Sequence, residues 1–331
     1  MAMIYFNLRG SATSGGPTVS AYRLANGFAK KGHSISYDKP HRADKCLCII
    51  ESGKALRQVD RKKTKIYVRL DGAYFREYWH GGPGRERRSD MDALHNAIKR
   101  DVANVDHMIY QSEFSKRLID SEIAERKENF SIIHNGADIN TFCPKQRKFD
   151  GFVNIFSHGV MRNDYIMESL IGAYEELKSR NHKVKLIMVG VMDSQCQHIY
   201  NKYKLDKNII YHGSIPNSKI SKYFENADIG LYPRMGSSCD NSVIESISSG
   251  IPVIIPLWGG NSELISDRKQ GIIVDSGGHW NYGSAYIKKL ADGIESVIPN
   301  LAEFKQQARG YAVKELTLDK MINRYLKAMG L

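Results

Sequence analysis

The sequence predicts an α/β chain of two doubly wound parallel-sheet domains that face each other across a cleft, and three observations carry that expectation. Short β-branched runs alternate with helical stretches of ten or more residues, which implies parallel strands joined by right-handed crossovers. The alternation occurs as two series, one in the first 147 residues and one that restarts at Phe152. The chain has 331 residues, enough for two domains of ordinary size, each with its own core.

In the first series, Met3 to Leu8 reads as a strand, followed by the small-residue loop RGSATSGGP and a helix from about Val19 to Lys31, closed by Gly32. The loop lets a ligand approach the backbone closely at Gly15 and Gly16, although a plain surface loop has the same composition. The dinucleotide fingerprint Gly-x-Gly-x-x-Gly is absent from it. Further strands are expected at His33–Tyr37, Cys46–Ile50, Lys65–Leu70, His107–Gln111 and Phe130–Ile133. The strand KIYVRL runs into Asp71 and Gly72, so Asp71 is either a carboxylate at a ligand-facing strand end or an ordinary turn residue. Gly81, Gly82, Pro83 and Gly84 break regular structure before Arg85, Arg87 and Arg88, a charge run that solvates a loop or meets a phosphate-linked or membrane-held partner. Ser112 in YQSEFSK is placed to cap the helix that follows it.

The second series gives strands at Phe152–Ser157, Lys185–Val189, Asn208–Tyr211, Ile229–Tyr232, Val253–Ile255 and Ile272–Val274. Its organising stretch is LYPRMGSSCDNSVIESISSGIPVIIP, Leu231 to Pro256, read as strand, loop, short helix and strand. In an open parallel sheet the loop then lies at the carboxyl edge where ligands bind, and a helix starting near Asn241 turns its free N–H groups and positive dipole end toward an anionic guest. Glu245, one turn into that helix, either accepts from a hydroxyl-bearing ligand or is an exposed first-turn Glu favoured by the dipole. HGVMRND, His158 to Asp164, is expected as a loop facing the same crevice. Its Arg162 is either a diphosphate clamp or a solvated arginine.

Hydrophobic residues make up 42% and charged residues 25%, values of a globular protein without disordered bias. No apolar run reaches membrane-spanning length, and MAMIYFNLRG is too short and too quickly polar for a signal peptide, so a cytoplasmic protein is expected. The five cysteines lack metal-ligand spacing and suggest neither a disulfide framework nor a zinc site. The net charge is +12, of which residues 1–147 carry +9, from 26 Lys and Arg against 17 Asp and Glu. That field suits a phosphorylated substrate or peripheral contact with an anionic membrane. Without a basic–aromatic motif it does not point to nucleic acid.

CDNSVIESISSGIPVI, followed by GGNSELI and GIIVD, resembles the nucleotide-sugar half of the family 4 retaining glycosyltransferases, which have the two-domain GT-B fold. The resemblance extends to NGADINTFCP and, more thinly, to the first Gly-rich loop and YQSEFSK. It implies an acceptor-side domain over 1–147, a nucleotide-sugar domain over 148–313, and a terminal helix over about 314–331 that packs back on the first domain through Leu318, Met321, Ile322, Tyr325, Leu326 and Met329. It also implies transfer of a sugar from a nucleoside diphosphate sugar to a glycan or lipid-linked acceptor hydroxyl, with retained configuration and no required cofactor or metal. Glu245 matches the second Glu of the family's Glu-x7-Glu pattern, the one that binds the ribose. The first Glu is replaced by Ser237, so either Asp240 or backbone groups of this loop hold the sugar, with a plain helix cap as the other reading of Asp240, or the donor site is altered. Cys239, Asn241 and Ser242 fall beside the donor, the backbone at Ser214 and Ile215 beside the base, and Gly15 and Gly16 opposite the donor phosphates. Arg162, Asp240 and Asp71 are the catalytic candidates. The family pairs its arginine with a nearby lysine, and this chain has none between Arg162 and Lys178. A GT-B phosphorylase or epimerase, or a noncatalytic sugar-nucleotide or glycan-binding protein, would share these features.

Overall fold

In the computed structural model, residues 1–11, 16–70, 72, 89–266 and 269–331 are described. The chain divides into two compact units, Met1–Gly136 with Thr317–Leu331, and Ala137–Leu316.

The first unit is built from β1 (Met3–Phe6), α1 (Gly16–Lys30), β2 (Ser34–Ser36), β3 (Lys45–Ile49), α2 (Gly53–Gln58), β4 (Lys65–Arg69), α3 (Ser89–Asn104), β5 (His107–Tyr110), α4 (Glu113–Glu122) and β6 (Phe130–Ile132). Its strands pair in parallel in the order β2-β1-β3-β4-β5-β6. Successive side chains of a strand point to opposite faces, so a sheet covered on both sides needs apolar residues at every position. Ile4, Phe6, Leu47, Ile49 and Ile109 accordingly enter one core with Leu24 and Phe28. Tyr5, Cys46, Cys48, Ile66, Val68, Met108 and Tyr110 enter another with Ile98 and Val102. Ser112 caps α4, its side chain accepting from the Ser115 N–H, as its position in the sequence suggests.

The second unit comprises β7 (Val153–Met161), α5 (Asp164–Ser179), β8 (Val184–Met192), α6 (Ser194–Asn201), β9 (Ile209–Tyr211), α7 (Asn217–Ile220), β10 (Ile229–Leu231), α8 (Asn241–Ser248), β11 (Val253–Pro256), β12 (Gly271–Val274), α9 (Ser284–Val297) and α10 (Leu301–Glu315). Its six parallel strands run β12-β11-β10-β7-β8-β9. The same alternation divides its residues. Ile155, Leu186, Met188, Ile229, Leu231 and Ile254 pack with α5 and α9. Phe156, Ile187, Val189, Val253 and Ile255 pack with Val243, Ile244 and Ile247 of α8 and Ala308 and Ala312 of α10.

Two boundaries differ from the sequence reading. The division between units falls at Gly136–Ala137 rather than at 147, because Ala137 and Phe142 belong to the second unit's core and Arg309 donates to the carbonyls of Ile139 and Phe142. His158 to Met161, expected as loop, continues β7 and pairs with Val189 to Met192 of β8. Two glycines make that extension feasible. Gly159 and Gly190 have φ of +121° and +134°, and a Cβ on Gly190 would stand 1.8 Å from the Gly159 carbonyl oxygen.

The last helix, α11 (Leu318–Ala328), belongs to the first unit. Met321, Ile322, Tyr325, Leu326 and Met329 are buried against the α1 side of its core, and the Tyr67 hydroxyl donates to the Met329 carbonyl at 3.2 Å. Thr317 caps the helix by accepting from the Lys320 N–H. Among the described residues no helix is long and apolar enough to cross a membrane.

Candidate functional site

The residues that the sequence brings together in the second unit converge on the carboxyl edge of its sheet. β7 and β10 are neighbours there, and α8 follows the loop that leaves β10. Ser242, on the first turn of α8, lies against Gly159, at 3.9 Å from the place a Cβ would take. The amino end of α8, with its free N–H groups, is thus set beside the carboxyl end of β7, the arrangement that favours an anion.

Glu245 is not the exposed first-turn residue that was one reading of the sequence. It is 1% exposed, and its neighbours Val243, Ile244 and Ile247 are fully buried. Burying a carboxylate is costly unless it is hydrogen-bonded, and His158 on β7 meets that need, with its Nε2 3.1 Å from Glu245 Oε2. On the other side of the ring, His158 Nδ1 is 2.7 Å from the Tyr232 hydroxyl, which lies 2.5 Å from Ser246 Oγ. Burial pushes the Tyr232 phenol well up, so it remains protonated as a member of this chain of bonds.

The loop from Pro233 to Asp240 is fastened along its length. Tyr286 donates to the Pro233 carbonyl at 2.9 Å, and the Met235 N–H donates to the Tyr282 hydroxyl at 2.8 Å. Tyr282 is itself stacked on Tyr165 with ring centres 4.0 Å apart. The Gly236 N–H donates to Trp258 and the Gly260 N–H to Ser237, each at 2.7 Å, so the loop after β11 runs alongside. Asp240 stands at the N-cap position of α8 without a side-chain capping bond. Its N–H donates to Asn261 Oδ1 at 2.8 Å and its Oδ2 accepts from Asn261 Nδ2 at 3.0 Å. Ser237 Oγ is buried and, among the described residues, has no hydrogen-bond partner.

The other sequence candidates fall into four groups. Asn241 and Ser242 open α8, half-buried, while the Cys239 side chain is buried in the core. Arg162 is exposed just beyond β7, and Ser214 and Ile215 follow β9 in the loop whose Gly213 carbonyl accepts from the Gly190 N–H at 2.8 Å. Gly16 opens α1 in the first unit, with no atom within 4 Å of a Cβ placed on it. Gly15, Asp71, Arg85, Arg87 and Arg88 lie outside the described residues.

Sequence reasoning missed His158, Tyr232, Ser246 and Asn261, whose roles arise from contacts between segments distant in the chain. It also missed Arg234, whose guanidinium donates to the Val160 carbonyl at 2.9 Å and brings a second cation to the end of β7. The signal for Arg234 was its place in the loop after β10. An Asp-x-Asp pair, Asp90 and Asp92, was passed over as well, and it lies on α3 in the first unit.

The family described as glycosyl transferases group 1 matches residues 138–310, more than half of the chain and nearly the whole of its second unit. The chain belongs to this glycosyltransferase family. Among curated relatives, Protein CapJ of Staphylococcus aureus is 25% identical over 213 residues, 62% of this chain and 52% of CapJ. The putative colanic acid biosynthesis glycosyltransferase WcaL of Escherichia coli is 22% identical over 212 residues, 61% of this chain and 51% of WcaL. The chain spans about half the length of these curated relatives. Its fold is that of solved GT-B glycosyltransferases. Sucrose-phosphate synthase from Thermosynechococcus elongatus superposes with a TM-score of 0.77 at 12% identity, covering 99% of this chain and 98% of that one. HepE of Anabaena, solved with UDP-glucose, gives 0.74 at 14% identity with both chains fully covered. Fold and family in this group 1 member therefore agree with the reading of the 231–275 stretch.

Proposed function

We propose that this chain is a retaining glycosyltransferase that moves a sugar from a nucleoside diphosphate sugar to an acceptor hydroxyl in glycan or surface polysaccharide biosynthesis. The observation that carries the reading is the buried Glu245 carboxylate, held at the carboxyl edge of a parallel sheet on a helix whose amino end faces the end of β7. In this reading Glu245 accepts from the ribose hydroxyls and the first N–H groups of α8 receive the diphosphate. Arg162 and Arg234 offset the charge that develops on the leaving group. Such chemistry rests on positioning and on charge stabilisation in the transition state rather than on a protein nucleophile or a resident metal. The solved complexes of HepE with UDP-glucose and with UDP support a nucleotide-sugar donor. The excess of Lys and Arg in residues 1–147 supports a phosphate-bearing or lipid-linked acceptor at an anionic membrane surface on the cytoplasmic side.

One observation favours a second reading, a sugar-nucleotide or glycan-binding protein without turnover. Ser237 stands where the family has a carboxylate, and its buried hydroxyl has no partner among the described residues. Incubation with UDP-, GDP- and ADP-sugars, followed by assay of the released nucleoside diphosphate and NMR of the product's anomeric centre, separates the readings. Turnover with retention is expected. Inversion would remove the retaining assignment, and specific nucleotide binding without release of diphosphate would favour the second reading.

A further inference from the structure

We propose that His158, backed by Tyr232 and Ser246, is a positioning residue that fixes the Glu245 carboxylate for its ligand. This rests on the ribose-binding reading of Glu245. The contacts form a closed circuit, since Glu245 bonds His158, His158 bonds Tyr232, Tyr232 bonds Ser246, and Ser246 is the next residue to Glu245 on α8. β7, the residue that follows β10, and α8 are thereby held together at the sheet edge where the site lies.

The His158 ring has little freedom within that circuit. Phe156 stacks on it with centres 5.4 Å apart and planes at 27°, and Phe224 meets it edge-on at 5.0 Å. With a neutral ring so held, the protons can be placed so that every member is satisfied. Ser246 donates to the Tyr232 oxygen, Tyr232 donates to Nδ1, and the Nε2–H donates to Glu245. The phenol can act as that donor because burial keeps it protonated. A carboxylate accepts at about four lone-pair sites, so the bond from His158 coexists with bonds from ligand hydroxyls while it fixes the plane in which they are accepted. A carboxylate oriented before binding costs less to order when the ligand arrives.

The test is a double-mutant cycle on nucleotide affinity, measured by titration calorimetry with UDP, GDP and ADP, which share the ribose. His158→Leu should weaken the nucleotide that binds by about tenfold, the size of one hydrogen bond to a charged group. His158→Gln, whose amide N–H can reach Glu245, should restore most of that loss. In a Glu245→Ala background His158→Leu should have no further effect, because its action passes through the carboxylate. If His158→Leu does not fold, Tyr232→Phe takes its place, since it removes only the hydroxyl and should likewise weaken binding only while Glu245 is present. Equal losses in both backgrounds, or full affinity in the folded single variants, would overturn the proposal while leaving the ribose reading intact. Unchanged affinity in Glu245→Ala, or no binding of any of the three nucleotides, would overturn both.

Discussion

Asp240 and Glu245 stand five residues apart in one loop and helix, and the structure gives them opposite settings. The sequence offered Glu245 a ligand-binding role and a plain one, and it put Asp240 forward to hold the sugar, with a helix cap as its plain reading. Glu245 proves to be buried and bonded to a histidine 87 positions earlier, whereas Asp240 is half-buried and bonded both ways to Asn261. Neither partner was legible, because period and spacing place a residue on an element but do not say which distant segment packs against it. The pairing makes a prediction for Asp240. If it serves catalysis by holding the loop, Asp240→Ala and Asn261→Ala should lower kcat by similar factors, about tenfold each, with little change in nucleotide affinity. Steady-state kinetics on the active donor would check this. A loss confined to Asp240→Ala would instead mean that the carboxylate acts on the sugar directly.

At the scale of elements the sequence was most informative, because alternating apolar runs and helical stripes are local. The twelve expected strands are all present among the described residues, and the stripe from Leu318 to Met329 falls on the helix α11 and its C-cap. What escaped was the extension of β7 and β8 through Gly159 and Gly190, since glycine at a strand end is equally a turn signal. The ends of these two strands are tied by Asp193, which caps α6 by accepting from the Cys196 N–H at 2.9 Å and also accepts from the Asn163 N–H at 2.8 Å. Burial alone would push the Asp193 carboxyl up, but these backbone donors outweigh it and hold it below its ordinary value. Its contribution to stability is therefore fully present above the pKa of an unfolded aspartate, about 3.9, and is lost as pH falls through the lower folded value. Asp193→Ala should cost about 1–2 kcal/mol at neutral pH, as the loss of an N-cap does. The difference from the parent in urea denaturation should shrink below about pH 4, whereas a constant difference down to acid pH would assign the effect to packing.

Over the whole molecule, the family match at 138–310 and the compact unit Ala137–Leu316 cover nearly the same residues. That is why the resemblance was strongest in the stretch from 208 to 275 and thinner before 130. The first unit carries a sheet of the same kind, and of its candidates Gly16 opens α1, while Gly15, Asp71 and the arginines at 85, 87 and 88 lie outside the described residues.

On the proposed function, the second unit binds a nucleoside diphosphate through Glu245. Thermal unfolding of the parent and of Glu245→Ala, each with and without UDP, GDP and ADP, tests it most directly. A ligand at a hundred times its Kd adds about 2.7 kcal/mol to the native state, so one nucleotide should raise the parent's Tm by several degrees. At the same concentration it should raise that of Glu245→Ala by much less. An equal rise in both proteins would contradict the assignment of Glu245, and no rise in the parent with any of the three would contradict the nucleotide site itself.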